Sequence, residues 1–418
     1  MPEPIKPQPT TPTLRMFTLA QCRFAGAIAL AGMLLTFTAP THRVDLLVYG
    51  IAAMVGGTLW YPTIGPAIVA ASLPTYFFGR PLLGSLAFSP PELALAASWI
   101  AVLVQASRHE LVLRWPRTPF DAPLALFVAA GLLSLSVTEY PLLSIRELRA
   151  MILEPVLFFW LLAVFPVSRS PALRGFLLAA VFTAALAVGQ TILGWGGTEA
   201  EGVRRAQAWY PSPNHLALML GRALPFCLAR ALAHNDVIWW LGTLVLGVAL
   251  LSTFSTGGWL GGAAAIVVVT LVLRRRRLAM AVAGGAAAGL ILVSSLAIGG
   301  RLPERFNPLR QTGGFRVELW ASSIEMVRDH PVLGIGLDNF AYLYQQVYLR
   351  EAAAAEPNLS HPHNWVLNFW LELGIAGLAA FSWLVVRAFS LAARQWTPHP
   401  DPLPLGGEGR PPGGRGPG

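Results

Sequence analysis

Apolar runs long enough to approach the width of a membrane recur along almost the whole chain. That recurrence restricts the fold more than any other feature. The runs are 17–39, 46–61, 64–79, 92–107, 122–138, 149–166, 174–194, 214–232, 238–254, 257–273, 278–299 and 364–391. A helix rising 1.5 Å per residue needs about 20 apolar residues to cross the hydrocarbon core. The pattern predicts an all-α polytopic membrane protein with about twelve transmembrane helices, give or take one or two. Of the 418 residues 55% are hydrophobic and only 12% charged, too few to give a soluble chain of this length its polar surface. Soluble globular, coiled-coil and wholly disordered readings are therefore excluded.

The few charges give an orientation. The formal charge is +9, yet the basic residues sit singly or in short clusters between apolar runs and not on one soluble face, so nucleic acid is not an expected partner. Lys6 is the only lysine. Arg274, Arg275, Arg276 and Arg277, lodged between two apolar runs, are the strongest cytoplasmic marker. Counting outward from them puts 108–117 and 168–174 on the same side, both termini in the cytoplasm and 300–363 outside; Arg146 and Arg149 are the exception. The expected organisation is a disordered N-terminus over 1–15, a transmembrane bundle over 16–300, an extracytoplasmic loop with two helices over 301–363, a last transmembrane helix over 364–392, and a disordered Pro/Gly tail over 393–418. The cysteines, Cys22 and Cys227, have no ligand spacing around them, so neither a disulfide framework nor a metal site is expected.

The outer loop is where chemistry has room. Within it, 315–329 places Trp320, Ile324 and Val327 on one helical face. Asp338 or Asn339 is expected to cap a second helix carrying Phe340, Tyr344, Val347, Tyr348 and Glu351 on one face. Between them His330-Pro-Val-Leu-Gly-Ile-Gly reads as a tight glycine turn. The loop closes on Ser360-His361-Pro362-His363-Asn364 and runs into the last span. An imidazole there is placed to take a proton from an acceptor hydroxyl. From the residues alone, His361 reads as an interfacial polar side chain, and for His363 the base and interfacial readings stand level. Arg205, upstream of Pro-Ser-Pro-Asn214, and Arg316, in Gly-Gly-Phe-Arg, suit paired hydrogen bonds to phosphate oxygens. Taken singly, each is better explained by a salt bridge to Glu318, Glu201 or a lipid headgroup. Arg222 and Arg230 lie within an apolar run and are expected to face the bundle interior or snorkel to an edge.

Taken together, Arg316-Val-Glu-Leu-Trp, His330-Pro-Val-Leu-Gly-Ile-Gly, His363-Asn364 and Gly374-Ile-Ala-Gly377, with Arg205 and Asn214 upstream, resemble the O-antigen ligase and polymerase family over 204–377. The resemblance implies a glycosyltransferase of the cytoplasmic (inner) membrane acting on its outer side without cofactor or metal. The implied donor is a glycan on undecaprenyl diphosphate; the acceptor is a lipid, a glycan or a protein. It makes His363 the general base and assigns the diphosphate to Arg205 and Arg316. Asn214, His330, Asn364, Gly374 and Gly377 become supporting residues. This chain departs from the family pattern at Ser255-Thr256, where members commonly carry Ser-Arg. Outside the family reading, a secondary transporter using Arg222, Arg230 and Glu372, or a non-catalytic envelope-assembly protein, fits the same composition.

Overall fold

The computed structural model describes residues 19–40, 43–83, 86–111, 113, 116–200, 203–298, 313–354 and 357–396. The sequence expectations for 1–15, for 299–312 and for the tail from 397 onward fall outside these residues. The described chain is mostly helical. Helices α1 (Leu19–Thr38) and α2 (Val44–Trp60) form an antiparallel pair, and α3 (Gly65–Ser72) follows a sharp break at Tyr61-Pro62. A short hairpin, β1 (Arg80–Leu83) with β2 (Leu86–Phe88), leads to α4 (Pro90–Ser107). Next come α5 (Asp121–Ser134) and α6 (Pro141–Glu147), which widens into a π-helical turn over Leu148–Leu153 before α7 (Glu154–Val164). After α8 (Arg169–Leu193), the ribbon β3 (Thr198–Ala200) with β4 (Val203–Arg205) precedes α9 (Pro213–His234). Helices α10 (Val237–Ser252), α11 (Thr256–Val272) and α12 (Arg276–Ile298) follow, then α13 (Gly313–Asp329), the one-turn α14 (Phe340–Leu343) and α15 (Trp365–Trp396).

Each apolar run has become helix, but not each helix is a full span. Among the described residues, four are long and apolar enough to cross a membrane: Ala20–Thr38, Pro166–Leu193, Pro213–His234 and Trp365–Arg394. The count reaches five if Val44–Trp60 and Pro62–Thr75 form one broken span, for they meet at 118°. The two runs 46–61 and 64–79 are thus one bent pair, because Pro62 cannot continue a helix. Asp121–Ser134, Val237–Ser252 and Thr256–Val272 are apolar but shorter. A 14-residue helix extends roughly 21 Å, less than the hydrocarbon width. The chain is a multi-pass helical membrane protein.

Small residues let the helices approach. Ala180, Ala184 and Ala187 of α8 meet Leu216, Leu220 and Ala223 of α9 and Leu246 and Ala249 of α10 in one buried cluster. Such packing is what holds helices together where lipid is as apolar as the side chains. A second cluster joins α1–α4 with α7 through Met54, Ile68, Leu93, Ala97 and Leu161.

The segment after α13 does not stand away from the bundle. Leu337 and Leu373 pack with Ala130, Leu148 and Ile152 of α5 and the π-helical turn. The buried face of α13 is not the expected Trp320, Ile324 and Val327, of which only Val327 is buried. It is centred on Leu319, Ser322, Ser323 and Met326, all fully buried. The two serines are small enough to let the helix close on its neighbour, and Ser322 Oγ donates to Tyr348 O at 2.7 Å. The expected second helix is α14 followed by a π-helical turn over Tyr344–Tyr348, which shifts the period: Phe340 and Tyr344 are buried while Val347 is 65% exposed.

Asn339 occupies the N-cap position of α14, as expected, but its side chain makes no capping hydrogen bond. Asn339 is fully buried and points the other way, its Nδ2 within 2.7 Å of both Thr138 Oγ1 and Leu337 O and 2.9 Å of Ser144 Oγ. Its Oδ1 accepts from Tyr140 N at 3.2 Å, and Tyr140 stacks on Tyr342 with ring centroids 4.3 Å apart. This network pins the loop to the α5–α6 connection. Asn339→Leu is expected to cost about 2–4 kcal/mol by leaving buried partners unpaired, read as faster limited proteolysis between α13 and α15. Arg146→Gln, which breaks an exposed 3.3 Å pair with Asp338, should cost less than about 1 kcal/mol. Equal protease sensitivity of the two variants would contradict this ranking.

Candidate functional site

The site is assembled where α9 starts and α15 starts. Ser212 caps α9, accepting from His215 N, and its Oγ also lies 2.6 Å from His215 Nδ1. The cap therefore fixes the imidazole as well as the helix. Phe77, from the turn before β1, meets the edges of His215 and Tyr210 at centroid distances of 5.3 and 5.5 Å. On the other side of Ser212, Arg205 at the end of β4 donates from Nη2 to Asn214 Oδ1 at 3.0 Å and from Nε to Thr253 O at 2.8 Å. Two hydrogen bonds to different elements hold the guanidinium at the α9 mouth. They also bring it to the turn where Ser255 caps α11.

The second wall is the end of the outer loop. Asn364 Oδ1 accepts from Val366 N at 3.0 Å and Leu367 N at 3.4 Å, so Asn364 is the N-cap of α15. Pro362 O accepts from Trp320 Nε1 of α13 at 2.9 Å. His363, between these two anchors, takes a left-handed backbone conformation with φ 51°. That conformation is uncommon for a residue with a side chain and persists only where the surroundings impose it. The His361 and His363 rings meet edge to face at 4.4 Å, and Ser360 Oγ lies 2.8 Å from His361 Nδ1.

The electrostatics tie the two walls together. Desolvation, the charge of His363 and the charge of His215 hold His361 down at about 4. Desolvation and then the positive charge of Arg316 lower His363 below the ordinary imidazole value. His215 and His363 thus act on His361, and Arg316 on His363, although these residues come from α9, the loop end and α13. A lowered value means His363 is neutral at pH 7 with a ring nitrogen free to accept a proton.

Behind this cluster lies a backbone lock. α15 is broken at Gly374, whose φ of 67° and ψ of −171° only glycine adopts readily. The turn after α13 inserts into the break: Ile335 N donates to Leu371 O at 2.6 Å and Ile375 N to Val332 O at 3.1 Å. Gly334, with φ 73°, faces Leu371 O so closely that a Cβ would collide with it, and Gly374 faces Val332 O in the same way. Gly377 makes room for Leu373 just past the break. Gly374 and Gly377 accordingly sit in the packing between loop and helix. His330 ends α13 with its side chain exposed, and among the described residues no hydrogen bond or ion pair links it to His363.

Arg222 is exposed on α9, and the Arg230 guanidinium lies over the Trp239 ring at 4.8 Å. Cys227 is buried and unbridged. Among the described residues no group of three or more His, Cys, Asp or Glu is arranged to hold a metal ion. Sequence reasoning passed over His215 and Phe77. His215 carried a local signal, three residues after Ser212 in a helix-capping pattern; Phe77 carried none, since its position depends on contacts across the chain.

Arg205 is held by a carbonyl of the α10–α11 turn and by its neighbour on α9. Asn214→Ala, which removes one of those bonds, is expected to weaken any anion bound at Arg205 by roughly fivefold to tenfold, measured by titrating pyrophosphate onto the purified protein. An unchanged titration would mean that the bond does not orient the guanidinium.

No curated protein and no solved structure matches this chain. Residues 241–382, which run from α10 into the second half of α15 and contain Arg316, His330, His363, Asn364, Gly374 and Gly377, match the O-antigen ligase family model.

Proposed function

We propose that the protein transfers or polymerises a glycan from an undecaprenyl-diphosphate carrier onto an acceptor hydroxyl, in the building of cell-surface polysaccharide. The family match over 241–382 supports the general part, a membrane glycosyltransferase-like role in polysaccharide biosynthesis. The observation that carries the finer reading is the placement of His363 at the α15 N-terminus under the charge of Arg316, with the Arg205 guanidinium held by two hydrogen bonds at the start of α9. In this reading the acceptor O–H gives its proton to His363. The acceptor oxygen bonds to the anomeric carbon on the face opposite the diphosphate. The bond from that carbon to the diphosphate oxygen breaks as the new one forms, so the centre inverts and the lipid diphosphate leaves. Arg205 and Arg316 offset the charge that collects on the leaving oxygens. The donor supplies its own leaving group, so the step as written consumes no nucleotide.

The same reading sets the protein in the cytoplasmic membrane with both termini inside and the histidine mouth outside, surrounded by lipid. It treats 204–377 as the ligase-like region and the shorter apolar helices as completing a bundle of about twelve crossings. The acceptor class is a lipid, a growing glycan or a protein.

Binding and chemistry separate in a single test. Arg205→Gln and Arg316→Gln are each expected to weaken retention of an undecaprenyl-diphosphate glycan in detergent micelles by about tenfold to a hundredfold. His363→Gln should leave that retention within about twofold, because the base contacts the acceptor and not the diphosphate. Undiminished retention in both arginine variants would sink the assignment of the diphosphate.

A further inference from the structure

At the far end of α9, roughly 28 Å from His215 along the helix, two helix turns enclose a separate cleft of about 680 Å³. One wall is the α9–α10 turn, with Asn235 and Trp240; the other is the α11–α12 turn, with Arg274, Arg275, Arg276 and Arg277; Leu232 and Leu278 complete it. The arginines are fanned out by the turn itself. Arg274 has φ 57°, and Arg275 N folds back to Thr270 O at 2.6 Å. All four are exposed, and among the described residues none of them has an ion-pair partner. Asp236, the nearest carboxylate in sequence, is turned to the α10 N-terminus, accepting from Ile238 N at 3.0 Å, and does not line the cleft. Trp240 Nε1 lies 3.4 Å from Asn235 Oδ1 and stands across from the guanidinium groups.

A loop that served only to mark topology needs charge and nothing else. This one has charge, a facing aromatic wall and apolar residues, between the ends of apolar helices. We propose that the cleft binds the headgroup of an anionic phospholipid, with two phosphates shared among the four arginines. A guanidinium pair grips one phosphate through paired hydrogen bonds, so four arginines in succession match a headgroup carrying two. Tryptophan suits the boundary between acyl chain and headgroup, and basic clefts at helix ends are where such headgroups gain most. The site is independent of the glycosyl-transfer reading.

The test is the thermal unfolding of the purified full chain in neutral detergent, titrated with lipid. Diphosphatidylglycerol is expected to raise the unfolding midpoint at about one tenth of the concentration required of phosphatidylglycerol. Phosphatidylcholine should not raise it, and any rise with inorganic pyrophosphate at matched phosphate, which Arg205 can also bind, should be the same in variants of the cleft as in wild type. Arg275→Gln with Arg276→Gln should shift the half-effect concentration of diphosphatidylglycerol upward by about tenfold or more. Trp240→Ala, which leaves all charges in place, should shift it in the same direction by a smaller factor. Arg108→Gln with Arg117→Gln, a charge loss of equal size in another loop, should leave it unchanged. An equal shift in that control, a pyrophosphate response that is lost in the cleft arginine variant, or an unaltered lipid response in both cleft variants would overturn the proposal.

Discussion

Glycan transfer by the His363→Gln variant should fall by about a hundredfold to ten-thousandfold, the range expected for losing a positioned general base. Donor binding should survive. The effect has a pH signature. A base must be neutral to work, and desolvation with the charge of Arg316 lowers His363 below the ordinary imidazole value. The acid limb of the rate should therefore lie below that value, and the enzyme should keep its rate where an ordinary histidine is already protonated. Arg316→Gln removes the positive charge, lets the imidazole hold its proton more firmly, and should move the acid limb to higher pH. Arg316→Lys keeps the charge and should move it much less. The imidazole of His361, held at about 4, is neutral throughout this window and contributes no limb of its own. An acid limb in the same place for wild type and Arg316→Gln would mean that the titrating group is not His363.

The second large effect is structural. Gly334→Ala or Gly374→Ala should each destabilise the fold by about 4 kcal/mol or more. A left-handed backbone with a side chain costs about 1–3 kcal/mol, and the added carbon collides with a carbonyl that cannot retreat. The carbonyls at risk, Leu371 O and Val332 O, belong to the strand-like pairing that zips the turn after α13 into the break of α15. The unfolding midpoint in detergent should drop by on the order of 10 °C. Gly247→Ala is the matched control: it sits in helix α10, has nothing within 4 Å of a built Cβ, and should change the midpoint by about a degree or raise it. If Gly374→Ala were as stable as the control, the lock would not be what holds the loop against the last helix. Because His363 lies just ahead of α15, a surviving fraction of either glycine variant should also lose transfer.

These residues show how much was legible beforehand. The apolar runs were readable because a helix surrounded by lipid must be apolar over most of its length, and every run became a helix. What failed was the step from run to crossing. Tyr61-Pro62 folds two runs into a bent pair at 118°, and a π-helical turn interrupts the run that begins at 149. The face of α13 was misread because Trp320 and Ile324 outweigh Ser322 and Ser323 in hydropathy, whereas close approach favours the smaller side chains. The histidines and arginines stood out in the sequence because so few polar residues surround them. Their partners did not. Asn214, Thr253 and Trp320 reach the site through contacts spanning up to 48 residues, and Asn339 finds Thr138 at a separation of 201. Periodicity carries no information about such distant pairs.

Transfer of a glycan from a lipid diphosphate at this mouth leaves two products. The most direct measurement follows both products at once. Purified protein in liposomes is given undecaprenyl-diphosphate glycan and candidate acceptors, and glycosylated acceptor and released undecaprenyl diphosphate are counted together. Wild type is expected to form the two in equal amounts, and His363→Gln to form neither above background while still binding donor. Equal transfer by His363→Gln, or glycan crossing the bilayer with no lipid diphosphate released for any acceptor, would contradict that expectation.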